Sequence, residues 1–523
     1  MFCQFISICE WTIKGISIII NKLLLYQYFL GCLMKKMEIW ADSFHEGEWF
    51  LTNLSPFCKI QNTNYIYGFI PSHTLQITES INVNFTVFGS YKSWGNLPAK
   101  IEKLLDYGKP DIIIYDRDSD TIVLAIEETA AVPTGNQALQ RCERIFGSAY
   151  LKTPFSYLLP EYGIHTDGQN RRTSIWPTLL ALKLSIQFGV PSVSFMYSDS
   201  DNPEDYHKGT GLKSLFEYSY LQIKKHLNLL DENEKNRLKK VLSDQISLMC
   251  TFIVDQYTNI INYLPSVDQL RDQNFVDALA QKILDKRNSG NLNLDTFLNW
   301  PCKKDIGGAS PLLGHINKDS FLSGIDTAVE NNNGYVISQG VGSKPQSKES
   351  IDEWLLSQAK QSNKINIDYS CPVKSFLKTE NGNYHITTSK NITYFIDNIA
   401  HLDTAFHDAF PKRKFKLSDL LSNHKDLPSF LYVSNSLKPN RIFGDPFTGQ
   451  FATFSNLFCF TCSYERYRSS IIYLPYVSAG CFYDNSNTLV QNKGLSIYLL
   501  LADIIICNNG YVISMMEKGR LYA

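Results

Sequence analysis

The sequence predicts an α/β protein with a mixed-sheet core, then a helical segment, then an α+β C-terminal region. From about residue 38 to 230, short apolar runs alternate with stretches of helical periodicity, as in α/β domains. From about 231 to 300, Leu238, Val241, Leu242, Ile246 and Met249 recur at three- and four-residue spacings, one face of a helix. Beyond that, β-forming runs and helical stretches alternate with turns rich in Asn, Ser and Gly as far as Ala523. The length of 523 residues fits about three domains, placed at 38–230, 231–330 and 331–523. With 44% apolar and only 19% charged residues, a sizeable core is available and long disorder is not expected. The 50 Lys and Arg against 51 Asp and Glu give a net charge of −1, which excludes a histone-like basic binder but not local basic surfaces.

Residues 1–37 form an apolar N-terminal extension. Asn21 and Lys22 break its best stretch, so it is a poor spanning helix, and it has no charged region leading to a small-residue cleavage site. Met34 or Met37 is the expected start; an anchor or an extra core helix are the other readings. No membrane association is expected. The 12 cysteines are scattered, and the single Cys-x-x-Cys, Cys459 and Cys462, reads as buried thiols in a strand, because a structural zinc needs four ligands. Nothing points to an oxidising compartment, so a cytoplasmic location is expected.

A helix is expected from Asn96 as N-cap to Gly108 as stop, with Ile101, Leu104 and Leu105 apolar. Lys109-Pro110-Asp111 leads into the apolar run Ile112 to Tyr115, a strand with an acid at its mouth. Asp116 to Asp120 is a polar turn. Thr121 to Ile126 is a second buried strand, ending in Glu127-Glu128-Thr129. So short a turn implies an antiparallel hairpin. If Ser119 is its centre, Asp111 lies opposite Glu127, with Cβ atoms about 4.5–5.5 Å apart. A slip of one residue would bring Glu128 opposite instead. Two carboxylates that close repel unless a cation lies between them, and Mg2+ is the natural occupant. The next helix, capped by Asn136, has Leu139, Cys142 and Phe146 on one side. Gln137, Gln140, Arg141, Arg144 and Ser148 fall on the other, a face suited to a phosphate backbone.

Pro110-Asp111, then Glu127-Glu128-Thr129, then the Gln/Arg helix resemble the core of the PD-(D/E)XK nuclease superfamily, and type II restriction endonucleases in particular. The resemblance covers roughly 60 of the 523 residues. It implies Asp111 and Glu127 as Mg2+ ligands, and an assisting acid on the preceding helix, for which Glu102 is the candidate. It also implies a DNA-contacting helix carrying Gln140, Arg141 and Arg144. The family pattern places Lys two residues after the second acid, and this chain has Thr129 there. Gln137, Gln140, Arg141 or Lys152 would have to supply that role, with Glu128 and Gln137 completing the catalytic set.

Other basic groups are candidate phosphate contacts: Arg171 and Arg172 in a polar loop, and Lys412, Arg413 and Lys414 in the run Pro411 to Lys416. His401 to His407 with Asp403 and Asp408 read as helix surface, and Gly444 to Gly449 as turn chemistry. The segment Asn332 to Ser338 recurs as Asn508 to Ser514, read as two similar turns into strands. There is no Walker motif, dinucleotide fingerprint or nucleophile elbow, which argues against a helicase, an oxidoreductase and an α/β-hydrolase. The expected function is Mg2+-dependent, site-specific cleavage of double-stranded DNA. Target recognition is expected in the C-terminal half, with a homodimer and a companion DNA methyltransferase as partners. The competing readings are a repair or recombination nuclease that recognises DNA structure, and an inactive DNA-binding protein with a nuclease-like core.

Overall fold

The computed structural model describes residues 34–91, 97–129, 139–164, 168, 170–198, 210–260, 270, 272–285, 334–338, 345–346, 366–371, 374–378, 392–396, 399–433, 447–460, 469–475, 477–492, 494–507 and 509–523. It is mixed α/β and divides into two compact units. One comprises Met1–Lys100, Asp111–Leu124 and Ser219–Leu230, the other Ile101–Pro110, Ala125–Tyr218 and Asp231–Ala523. These units do not follow the three consecutive segments expected from composition.

The first unit holds β1 (Met34–Ala41), α1 (Phe44–Asn53), β2 (Lys59–Ile66), β3 (Ile70–Gln76), β4 (Asn82–Gly89), β5 (Ile112–Asp116) and the first half of β6 (Thr121–Glu128). The strand order is β2-β3-β4-β1-β5-β6. β2, β3 and β4 form an antiparallel meander, β1 runs parallel to β4, and β5 is antiparallel to β1. α1 starts at a capping box: Ser43 Oγ accepts from Glu46 N at 3.3 Å, and Glu46 Oε2 accepts from Ser43 N at 2.7 Å. It buries Phe50 and Leu51, while Gly47 lies where a Cβ would run into Val87. In β4, Val83, Phe85 and Val87 are buried and alternate with half-buried Asn82, Asn84 and Thr86, so this sheet has one apolar and one polar face.

The second unit takes most of α2 (Ala99–Leu105), the end of β6, α3 (Cys142–Tyr150), β7 (Phe155–Ile164), β8 (Asn170–Arg172), α4 (Trp176–Phe188) and β9 (Ser192–Ser198). β6 and β7 are parallel with α3 between them, and β7 and β9 are parallel with α4 between them, two β-α-β steps. α5 (Thr210–His226) contributes residues to both units, and α6 (Glu232–Ile260) and α7 (Gln273–Asp285) follow. Leu238, Leu242, Ile246 and Met249 of α6 are buried, as their spacing predicts, whereas Val241 is half-buried. After α7 come β10 (Gly334–Ser338), β11 (Pro345–Gln346), the hairpin of β12 (Asn366–Cys371) and β13 (Lys374–Lys378), and β14 (Ile392–Ile396). α8 (Ala400–Ala409), α9 (Leu417–Leu420), β15 (Ser429–Val433), α10 (Phe447–Phe454), β16 (Ser470–Leu474), α11 (Ser496–Leu501), β17 (Ile504–Ile506), β18 (Val512–Ser514) and β19 (Arg520–Tyr522) complete the chain. Their sheet has the order β11-β10-β14-β15-β16-β17-β18-β19, parallel across β15, β16 and β17.

Several expectations change. Gly449, expected in a turn, lies inside α10. Cys459 is buried at the end of a π-helical turn, Ser455–Cys459, and not in a strand, while Cys462 is outside the described residues. Asn170 to Arg172 pair with β7 as strand β8 instead of forming a loop. The repeated segments become β10 and β18, two strands of one sheet, each antiparallel to its neighbours. The His401 segment is helical, as expected, and Asp403 there accepts from Ser418 N and Oγ. Among the described residues no helix is long and apolar enough to cross a membrane.

Candidate functional site

β6 is apolar on both faces from Ile122 to Ile126 and then ends in two acids. Glu127 is fully buried. Its Oε1 accepts from Arg141 Nε at 3.1 Å and from Arg144 Nη1. Arg141 also donates through Nη1 to the Glu128 carbonyl at 2.6 Å. Helical side chains point back toward the N-terminus, so arginines just before α3 and in its first turn are aimed at the end of the preceding strand. Gly108 makes room for this: a Cβ there would sit 2.6 Å from Arg144 Cγ and 3.1 Å from its Cα. Glu143 is buried beside them, with Oε1 3.8 Å from Arg144 Nε. Tyr157, the register partner of Glu127 on β7, has its phenol pushed well above its usual range by burial.

The arginine face of α3 is therefore turned inward. Ser148, expected on the face suited to a phosphate backbone, is fully buried, and Arg144 is nearly so. The reason is that α3 is covered on both sides, which the apolar stripe Leu139, Cys142 and Phe146 does not reveal. Helix α3 also begins at Cys142, so Gln140 precedes it and is exposed; Gln137 and the expected cap Asn136 are outside the described residues.

Glu128 is half-buried. Burial is the main cause that lifts its carboxyl above the usual range; nearby Arg141 pulls it down and Glu127 pushes it up. Thr129, where the sequence resemblance would place a lysine, is buried, with its amide donating to Leu158 O at 3.0 Å and its carbonyl accepting from the Tyr197 hydroxyl at 3.2 Å. Glu102 is exposed on α2. Asp111 belongs to the first unit, half-buried just before β5, where its carbonyl accepts from Asp42 N at 3.0 Å.

Arg172 is committed to structure, in contrast to the phosphate grip expected of it. It bonds Glu161 at 2.6 Å, lies 3.5 Å from Asp255, and stacks on Tyr162 and Phe252. The Arg171 side chain is outside the described residues. Lys412 and Lys414 are exposed, whereas Arg413 lies over the Tyr511 ring and donates to Asn509 O.

One polar cluster was not visible in sequence. At the β5–β6 turn, His226 Nε2 lies 2.7 Å from Asp116 Oδ2, and Ser119 Oγ donates to that same oxygen at 2.8 Å. Burial raises the Asp116 carboxyl, but His226, the Ser119 hydroxyl and the Asp118 amide together bring it below the usual range. The hydroxyl and the carboxylate face the same imidazole nitrogen, so this is a turn clamp and not a nucleophile relay. His226 arrives about 110 positions along the chain from Asp116, on another element.

As hard oxygen donors, Asp111, Glu127 and Glu128 suit Mg2+ in kind. Their surroundings do not form a ready site. Two guanidinium groups neutralise Glu127, and a dication beside them would be repelled. Among the described residues no group of three or more His, Cys, Asp or Glu is placed to hold a metal. No protein-family model, curated protein or solved structure matches the chain.

Proposed function

We propose that the chain is a site-specific endonuclease acting on double-stranded DNA, as the sequence resemblance implies. The observation that carries this reading is the cluster at the end of β6, where a buried acid, a second acid of raised pKa and two arginines converge beside a β-α-β step. Arginine groups held in a fork match phosphate oxygens as well as carboxylates. In this reading Arg141, the more exposed of the two, takes a phosphodiester oxygen and Arg144 holds Glu127. Glu128, whose ionisation burial delays, is suited to take a proton from the attacking water. Asp111 is the first acid of the motif that the sequence resemblance implies. Gln140, Lys412 and Lys414 are surface groups available to position the backbone.

The pairing of Glu127 with two arginines, and Thr129 in place of the family lysine, favour a second reading: a DNA-binding protein whose nuclease-like core has lost activity. Incubating the purified chain with plasmid and long mixed-sequence DNA in Mg2+ or Mn2+ separates them. The endonuclease reading expects discrete fragments, lost in Asp111→Ala and Glu128→Gln. Cleavage only at junctions or flaps would make it a repair nuclease instead. DNA binding without cleavage in either metal would leave the inactive protein.

A further inference from the structure

The first unit carries an exposed feature that the proposed cleavage site does not use. β2 and β3 form a ribbon whose tip is aromatic: Tyr65 is 58% exposed, Tyr67 86% and Phe69 59%. β4 pairs with β3 only from Ser72 to Gln76, so residues 65–71 project as two strands. β2 ends the strand order of this sheet and is exposed over nearly its whole length. At the tip Phe69 N donates to Ile66 O, and the two central residues, Tyr67 and Gly68, both have positive φ, at 54° and 80°. Such a turn normally takes Asn or Gly at its first central position. A large aromatic there is both conformationally costly and almost fully in water, so neither local structure nor packing accounts for it.

The charge pattern says what the ribbon suits. Between Glu48 and Glu102 the sequence holds a single carboxylate, Glu79, alongside Lys59, Lys92 and Lys100. None of the strands β2, β3 and β4 carries an acid. The registers put Asn62, Thr74, Asn84 and Lys36 in one row across four strands, and Asn64, Ser72, Thr86 and Glu38 in another on the same face. Glu38, the one acid in these rows, is neutralised by Arg117 at 2.5 Å. The face is thus amide- and hydroxyl-rich, with Asn62, Asn64 and Lys36 exposed, whereas Ser72 is buried and donates to Asn84, whose amide donates to Thr74.

We propose that the β2–β3 ribbon, with the polar sheet face behind it, is a docking surface for double-stranded DNA. A two-stranded ribbon fits the major groove, Asn side chains can pair with adenine edges, and tip aromatics can wedge against bases or sugars. The inference shares the DNA substrate of the proposed function but does not depend on cleavage.

The test is fluorescence anisotropy of labelled duplex DNA with the full chain in EDTA, where no cutting competes. Tyr67→Asn with Phe69→Ser is expected to weaken binding about tenfold or more, as loss of aromatic contacts to bases does. Tyr67→Asn relieves the turn, so its melting temperature should be unchanged or higher, which excludes misfolding as the cause. Asn62→Ala with Lys36→Gln is expected to weaken binding as well and to shallow its salt dependence. Equal affinity in wild type and both variants overturns the proposal while leaving the nuclease reading intact. So does a change confined to self-association in sedimentation, which would make the ribbon a contact between copies. Binding that needs the ribbon in a chain that never cuts DNA supports the proposal and ends the nuclease reading.

Discussion

Glu127 and Arg144 show how one buried ion pair constrains this chain. The carboxylate has no contact with solvent, and the guanidinium side chain is only 12% exposed. Removing one partner of a buried pair leaves a charge without compensation, which costs several kcal/mol. Arg144→Met is therefore expected to destabilise the fold by on the order of 3 kcal/mol in urea unfolding, and adding Glu127→Gln should restore part of it. Arg141→Met, at a side chain 31% exposed, should cost clearly less. Glu128 makes a pH-dependent prediction. Its folded pKa lies above the unfolded value, so the folded state holds the proton more tightly. The stability this confers is fully present below the unfolded pKa and is lost as pH rises through the folded pKa. Glu128→Gln should flatten that part of the stability profile, measured by chemical denaturation across the acidic range. The acids themselves were legible in sequence as polar residues ending an apolar strand. That Arg141 and Arg144 would turn inward to meet them was not, because a helix covered on both sides has no solvated face for periodicity to mark.

At the scale of elements, α10 covers α3. Every residue of α10 is buried, including Thr448, Gln450 and Thr453. Gly449 lets it approach: a Cβ there would collide with Leu139 O and lie 2.7 Å from Glu143 Oε2. Gly449→Ala is expected to destabilise by about 1–3 kcal/mol through overpacking, with a lower denaturant midpoint as readout. The sequence suggested a turn here because Gly444-Asp445-Pro446 is strong turn chemistry. Glycine at 449 serves close packing instead, and local propensity cannot distinguish the two uses. The strands were easier to read: Ile112 to Tyr115 and Thr121 to Ile126 fall within β5 and β6, since apolar runs bounded by a polar turn leave few alternatives.

At the scale of the molecule, α4 is tied to the C-terminal sheet region by Lys183. This lysine is fully buried, and its Nζ donates to the carbonyls of Asn456 and Phe460, the latter at 2.7 Å. These carbonyls lie at the end of the helix formed by α10 and its π-turn, where a cation offsets the negative end of the helix dipole. Helices α3 and α4 thus complete their burial and polar pairing with groups beyond residue 440. A fragment of residues 38–230 is therefore expected to fold poorly, giving broad amide spectra and exposed apolar surface, whereas the full chain unfolds cooperatively. A fragment with sharp, dispersed resonances would show that α10 is dispensable.

The sequence by itself determined the α/β class, the strand pair that ends in acids, and the amphipathic face of α6. Each depends on local apolar patterning or on neighbours within a few residues. The tertiary structure alone decided that Glu127 is answered by arginines, that Arg172 serves an ion pair, and that the chain divides into two interleaved units. It also decided that His226 clamps a distant turn. Those outcomes depend on which groups long-range packing removes from water, and a buried charge takes whichever counter-charge the fold delivers to it.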